Sequence, residues 1–320
     1  LNVGLPDSSA ALNVNRLCDS SVQALISTAQ LLMCGDSQIA LAGGAESMSR
    51  GAYLAPSVRT GARMGDTRLL DMTLSILSDP FGSGHMGITA ENIAEQQGYS
   101  REQLDQFATV SQQKALTAIN QGYFDDQIVP VPVKSGRRQF LFERDEHPRE
   151  TSIEQLEKLK PAFKPDGIVT AGNASGLNDG AAALVMTTAE EADKRGMRPH
   201  CRLISYAFAG VEPRVMGLGP VPAAKKALHK VGLSIQQMDV IESNEAFAAQ
   251  AMAVSELLEM PAEKVNPNGG AIALGHPVGA TGSIITVKAI AELKRIQGRY
   301  ALITMCIGGG QGIALIIERL

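Results

Sequence analysis

What this 320-residue sequence lacks narrows its function first. It carries little excess charge. A net charge of −4 gives no general attraction to nucleic acid or to an anionic membrane surface, so an anionic ligand must be held by local features. No run of about 18 or more uncharged apolar residues occurs, which leaves no candidate membrane-spanning helix. Cysteine is scarce: Cys18, Cys34, Cys201 and Cys306 form neither a CxxC pair nor a Cys/His set, so no metal site is expected. Four in a chain of this length make no disulfide framework, and that points to a reducing compartment. No basic-then-apolar targeting segment precedes the first helical pattern. The chain opens on Leu1 rather than Met, which reads as a processed or incomplete start.

What is present is a globular composition, 44% apolar and 19% charged, on a chain long enough for two or three substructures. After Cys18, apolar residues at Val22, Leu25, Ile26, Ala29, Leu32 and Met33 have helical spacing, and Gly35–Asp36 ends the helix. "QIALAGG" then reads as a short buried strand entering a glycine turn. Near the other end, "TGSIITVKAIAELKRI" is helical, and "YALITMCIGGG" is a strand entering a glycine turn before the strand "GIALIIE". Helix, strand and glycine turn occur at both ends, so a duplicated α/β fold is expected. Between them, Ser100-x-x-Gln103, Ser152-x-x-Gln155 and Thr188-x-x-Glu191 are helix starts. "IVPVPVK" alternates but holds two prolines, so it is an edge strand or extended loop. Residues 51–178 read as an inserted, loop-rich region. Residues 1–50 with 179–199 read as one α/β half, and 200–320, opening on "CRLISYAFAG", as the second.

Four residues invite a chemical reading. A free cysteine is more often a packing residue than a nucleophile, and Cys34 and Cys201 are expected in the core. Cys18 differs, because backbone N–H groups at a helix start stabilise a thiolate and can hold an oxyanion. Cys306 closes an apolar strand and precedes "IGGGQG"; no P-loop lysine follows, so a nucleotide site is disfavoured. His276 sits in "NPNGGAIALGHPVGATGS", where glycines let backbone pack around a ligand. Asn244 and Glu245 follow a β-like run and, read alone, are equally an ordinary helix-capping pair.

Taken together, "NRLCDSSVQAL", "NEAFAAQ…NPNGGAIALGHPVGATG", "MCIGGGQG" and the central "TAGNASGLNDGAAA" closely resemble the thiolase family, in the family's order, from about Ala10 to Glu318. The resemblance implies a duplicated, layered α/β/α/β/α fold with an inserted loop domain, and the activity of an acetyl-CoA acetyltransferase. Cys18 is then the nucleophile, His276 its base, and Cys306 the acid–base for the α-carbon. His276 and a water held by Asn244 meet the enolate, while the N–H groups of Cys18 and Gly308 meet the tetrahedral oxyanion. Ser175, Arg149, Phe247, His85, Met86 and Leu77 are implied at coenzyme A and the acyl group, which are substrate rather than bound cofactor. "HMG" at His85–Gly87 favours short acyl chains. The resemblance further implies a homo-oligomer, dimer or tetramer, with neither nucleic acid nor membrane as partner, in the cytoplasm or, in a eukaryote, the mitochondrial matrix.

Two departures stand out. Asp19-Ser20-Ser21 replaces the family's Gly-Ser-Gly or Gly-Ser-Ser, and the Asp19 charge opposes an adjacent thiolate. Thiolases also carry a strand–helix–strand unit before the nucleophile loop, yet only 17 residues precede Cys18 here. That unit is expected to be missing, with an exposed sheet edge as the result. Competing readings are a longer-chain 3-oxoacyl-CoA thiolase and a non-catalytic acyl-CoA-binding homologue. A Cys-His-Asn protease fits the residue types but not the glycine-rich setting.

Overall fold

The computed structural model describes residues 2–320. Helix α1 (Ser20–Cys34) buries Val22, Leu25, Ile26 and Leu32 as the spacing predicts, and left-handed Gly35 ends it. Met33 and Cys34 are exposed rather than buried. Cys34 stands two residues beyond Leu32, about 200° around the helix and off the apolar stripe. Strand β1 (Ile39–Ser47) runs straight through Gly43 and Gly44, where a turn was expected. The glycines serve close approach instead: a Cβ at Gly44 would overlap the Gly279 carbonyl and the Ser21 side chain.

After Ser47 the chain leaves the sheet, and it re-enters at Asp179, the residue opposite Ser47 in the ladder. The excursion contains β2 (Tyr53–Leu54), β3 (Leu70–Asp71), α2 (Met72–Ile76), α3 (Met86–Gln97) and α4 (Arg101–Asn120). It continues with β4 (Val131–Ser135), β5 (Arg138–Phe142) and α5 (Ile153–Leu156). It is less loop-rich than expected. The Ser100–Gln103 capping box starts α4, and Leu104, Ala108, Ala115 and Ala118 give that helix a buried face. The proline-bearing strand β4 pairs only with β5, an isolated hairpin. Strand β6 (Asp179–Thr187) returns antiparallel to β1, and Thr188 caps α6 (Ala189–Lys194) by accepting from the Glu191 N–H.

The second half comprises β7 (Cys201–Gly210), α7 (Pro220–Lys230), β8 (Val240–Ser243), α8 (Ala248–Leu257), α9 (Ala271–Leu274), α10 (Thr281–Ile296), β9 (Tyr300–Ile307) and β10 (Gln311–Arg319). Its sheet order is β7-β10-β9-β8, with β8 parallel to β9 and the rest antiparallel. Cys201 is half-buried at the start of β7 rather than in the core. Asn244 and Glu245 cap nothing; the helix after β8 begins only at Ala248, with Phe247 as its N-cap residue.

Both α1–β1–β6 and α10–β9–β10 are helix, strand, antiparallel strand, so the duplication holds. The two helices lie between the two sheets in one core of Val22, Leu25, Ile26, Ile285, Ala289, Leu293, Ile303, Met305, Ile313 and Leu315. Each large side chain there contributes about 1.5–3 kcal/mol by leaving water. Alternate residues of the second sheet, Leu302, Ala314 and Ile316, face outward under α7 and α8. The described residues thus build four of the five expected layers. Among the described residues no helix covers the outer face of β1/β6, and Leu41 and Val185 are 54% and 62% exposed. An open cleft of about 1600 Å³ separates α1, β6, β7 and α10, and its lining includes Met33 and Cys201.

Candidate active site

The chemistry lies away from that cleft, where α1 and α10 begin. Their first turns cross closely: a Cβ at Gly282 would overlap Val22, and the Ser283 N–H donates to Ser21 Oγ at 2.9 Å. The crossing sets Cys18, just before α1, beside the His276–Thr281 segment just before α10. Two helix N-termini converge there, a setting that favours negative charge. The Cys18 loop is pinned from both sides. Leu17 takes a left-handed φ of 51°, and the Arg16 guanidinium lies over the Phe208 ring at 4.3 Å while donating to Gln311 Oε1 at 3.1 Å.

Burial pushes the Cys18 thiol up to about 12, with the Asp19 charge adding to it and the backbone N–H groups of Gly308 and Cys18 opposing. Asp19 is itself fully buried, with neither carboxylate oxygen hydrogen-bonded, and burial raises its carboxyl well above the usual range against the pull of Arg16. A carboxyl held neutral exerts less field, so burial is the main obstacle to the thiolate.

His276 is buried, and burial lowers its imidazole to about 4. The Thr281 hydroxyl donates to the Pro277 carbonyl at 2.9 Å, so it accepts from His276 Nδ1–H, 2.6 Å away. That tautomer leaves Nε2 with its lone pair, 3.5 Å from the amide nitrogen of Asn244. Asn244 Oδ1 is buried without a protein partner, as a water-holding group requires. Behind it, Glu245 accepts from Ser111 Oγ, Asn266 Nδ2 and the Ile272 N–H, and the buried Lys288–Glu242 pair at 2.9 Å also ties the Gly269 carbonyl. These contacts fasten the Asn244 loop to the loop leading to His276.

Cys306, at the end of β9, is buried; its thiol is raised by burial first, then by the Cys18 and Asp19 charges. The turn after it presents Gly308, where a Cβ would lie 3.2 Å from Leu17 Cδ1 and 3.5 Å from Met86 Sδ. Met86 therefore belongs to the wall beside Cys18. His85 stacks on Phe163 with centroids 4.7 Å apart, and Phe163 meets Phe247 edge-on at 6.0 Å. Phe163 had no signal in its own motif; only its contact with His85 reveals it. The Leu77 carbonyl accepts from the Met86 N–H at 2.8 Å, and the Ser175 N–H donates to the Ala246 carbonyl at 3.0 Å, which brings Ser175 beside Phe247. Arg149 stands apart, exposed, its Nε donating to the His147 carbonyl. No cluster of candidate metal ligands occurs among the described residues.

Two cysteines, a neutral imidazole and converging helix N-termini meet at one place on a duplicated α/β fold, an arrangement chemically suited to acyl transfer. Family models agree: the thiolase N-terminal domain matches residues 1–190 and the thiolase C-terminal domain residues 197–319. A beta-ketothiolase of Cupriavidus necator is 57% identical over 100% of this chain and 82% of its own length. An acetyl-CoA acetyltransferase of Pseudomonas aeruginosa is 50% identical with the same coverage. Among solved structures, the Bacillus anthracis acetyl-CoA acetyltransferase superposes with a TM-score of 0.97 at 46% identity, covering 100% of this chain and 81% of that one. Human mitochondrial 3-ketoacyl-CoA thiolase in complex with CoA gives 0.96 at 44% identity, covering 100% and 80%. The chain belongs to the thiolase family and is an acyltransferase.

Proposed function

We propose that the chain joins two acetyl-CoA molecules into acetoacetyl-CoA and free CoA, and in reverse cleaves short 3-oxoacyl-CoA thioesters, through an acyl group on Cys18. The observation that carries this reading is the fixed tautomer of His276, whose Nε2 is free to take a proton. At rest the pair is a neutral thiol and a neutral imidazole. The proton passes to Nε2 as Cys18 Sγ bonds to the thioester carbonyl carbon, and the new oxyanion is met by the N–H groups of Cys18 and Gly308. Collapse expels CoA thiolate, which takes up the Cys306 thiol proton, and leaves S-acetyl-Cys18, a Cys306 thiolate and His276 protonated at Nε2.

The Cys306 thiolate so formed then removes a proton from the methyl group of a second acetyl-CoA. Protonated His276, donating from Nε2–H, and a water on Asn244 hold the enolate oxygen, and the carbanion attacks the acetyl carbon on Cys18. The tetrahedral adduct expels the Cys18 thiolate, which takes its proton back from His276 Nε2, and releases acetoacetyl-CoA, with the methyl proton left on Cys306. Ser175 and Phe247 bind the pantetheine, and Arg149 lies on the nucleotide side. Leu77, Met86 and the His85–Phe163 stack close the acyl end, which supports a short chain. The exposed apolar residues Val131, Phe140 and Leu141 on the β4–β5 hairpin support a homo-oligomer, dimer or tetramer. The bacterial relatives support a cytoplasmic setting.

Incubation with radiolabelled acetyl-CoA followed by peptide mapping tests the reading: label on Cys18 together with acetoacetyl-CoA formation is expected. Binding without label would instead identify a non-catalytic acyl-CoA-binding homologue, and faster cleavage of long than of short substrates would assign the longer-chain activity.

A further inference from the structure

Two residues outside the thiolase motif roles, His147 and Asn178, meet the catalytic segment from behind. His147 Nε2 lies 3.3 Å from the Ile272 carbonyl oxygen, and its Nδ1 lies 3.3 Å from Asn178 Nδ2. Asn178 Oδ1 accepts from the His276 backbone N–H at 3.0 Å. The two ends of this chain are backbone groups of fixed polarity. Asn178 must turn its oxygen to the His276 N–H, so its NH₂ faces His147. Nδ1 of His147 must then be a lone pair, and Nε2–H donates to Ile272. Only one tautomer and one amide orientation satisfy every partner. Two glycines make room for the arrangement: a Cβ at Gly176 would overlap the His147 ring, and one at Gly275, where φ is 93°, would overlap the Asn178 amide.

We propose that His147 and Asn178 are positioning residues for His276: neutral His147 holds Asn178, and Asn178 holds the His276 backbone. Protonation of His147 breaks the relay. Nδ1–H would then oppose the Asn178 NH₂, and flipping that amide would point its NH₂ at the His276 N–H. The groups around the ring favour the neutral form. Burial first, then the Arg149 guanidinium, lower its pKa from 6.5, while the Ile272 carbonyl raises it. The α4 side contributes neutral Gln112, whose Nε2 also donates to the Ile272 carbonyl at 3.2 Å, and His276 is itself neutral.

The proposal rests on the reading of His276 as the base, and the test separates the two. Acetoacetyl-CoA thiolysis is followed from about pH 5 to about pH 9 in the parent chain, His147→Gln and His147→Leu. Glutamine can accept from Asn178 but does not titrate. His147→Gln should keep turnover within about threefold of the parent at high pH and lose less on the acid side. His147→Leu, which cannot accept, should lose about tenfold or more in kcat with KM nearly unchanged, as misplacement of a base does. An acid limb identical in the parent and His147→Gln, or parental kcat in His147→Leu, overturns the relay. His276→Ala is measured alongside. If it is inactive while both His147 variants behave as the parent, the relay alone is wrong; if it is fully active, the base assignment falls and the relay with it.

Discussion

The two helix–strand–strand units share a chain pattern but not a fate. In α10–β9–β10 the strands are flanked by β8 and β7 and roofed by α7 and α8, and nearly every residue is buried. In α1–β1–β6 the strands pair only with each other among the described residues, and alternate side chains meet water. Local pattern decides that a strand forms, whereas neighbours decide how many of its faces are dry. Chemistry is divided unevenly too. Of the groups proposed for catalysis, the thinly covered unit carries Cys18 alone, and the well-covered half carries His276, Asn244, Cys306 and Gly308.

The sharpest way to break this comparison is to remove one cysteine from each unit. Cys18→Ala should abolish both acetylation and turnover. Cys306→Ala should still accept an acetyl group on Cys18, with carbon–carbon bond formation lowered by roughly 10²–10⁴. Mass spectrometry and a coupled assay read the two steps separately, and a folded Cys306→Ala chain that cannot be acetylated would refute the division of labour. Next comes a matched truncation. Ile303→Ala, in the roofed sheet, should cost about 2–5 kcal/mol in urea unfolding. Val185→Ala, on the open face, should stay within about 0.5 kcal/mol. Equal losses would mean that the two faces are equally packed in solution.

The helix starts offer a subtler contrast, since α10 begins with Thr281 and α1 follows Asp19. Thr281→Val removes the acceptor from His276 Nδ1–H and should lower turnover by about ten- to a hundredfold, the worth of about 1–3 kcal/mol for an unsatisfied buried donor. Unchanged kcat would mean that the tautomer is held otherwise. Burial delays ionisation of Asp19, but at the high pH where Cys18 ionises its charge opposes the thiolate. Asp19→Asn removes that charge and keeps the shape, so iodoacetamide should alkylate Cys18 at lower pH than in the parent; an unmoved profile would show that the field of Asp19 does not reach the sulfur. Stability should also depend on pH. His276 titrates at about 4 when folded against 6.5 in the ordinary case, so the unfolded chain binds more protons between those values. Stability should fall as pH drops from 6.5 towards 4, and His276→Gln should flatten that slope in denaturant titrations.

Much of this was legible in the sequence, for identifiable reasons. Helix spacing after Cys18, the Gly35 stop and the "IGGGQG" turn are local signals, and the structure follows them. Gly43 and Gly44 misled because a glycine pair signals either a turn or a close approach, and only the position of Gly279 decides between them. Met33 misled because periodicity fixes a helix face but not how far the opposing wall extends, and Cys34 because the usual burial of cysteine was weighed above its place off that face. The motifs named the groups placed at the site, whereas Phe163, His147 and Asn178 depend on contacts between segments far apart in the chain. No spacing rule encodes those.

The crossing of α1 and α10 at Gly282 makes the geometry between Cys18 and His276 a property of a joint rather than of either unit. A joint can slip by an ångström while the helices and sheets on both sides stay intact. Enzymatic competence is therefore the most sensitive gauge of cohesion in this molecule: under mild denaturant, turnover should vanish before the helical signal changes. Any molecule that spans Cys18 and His276 acts as a rivet, because releasing one unit from the other would require releasing it as well.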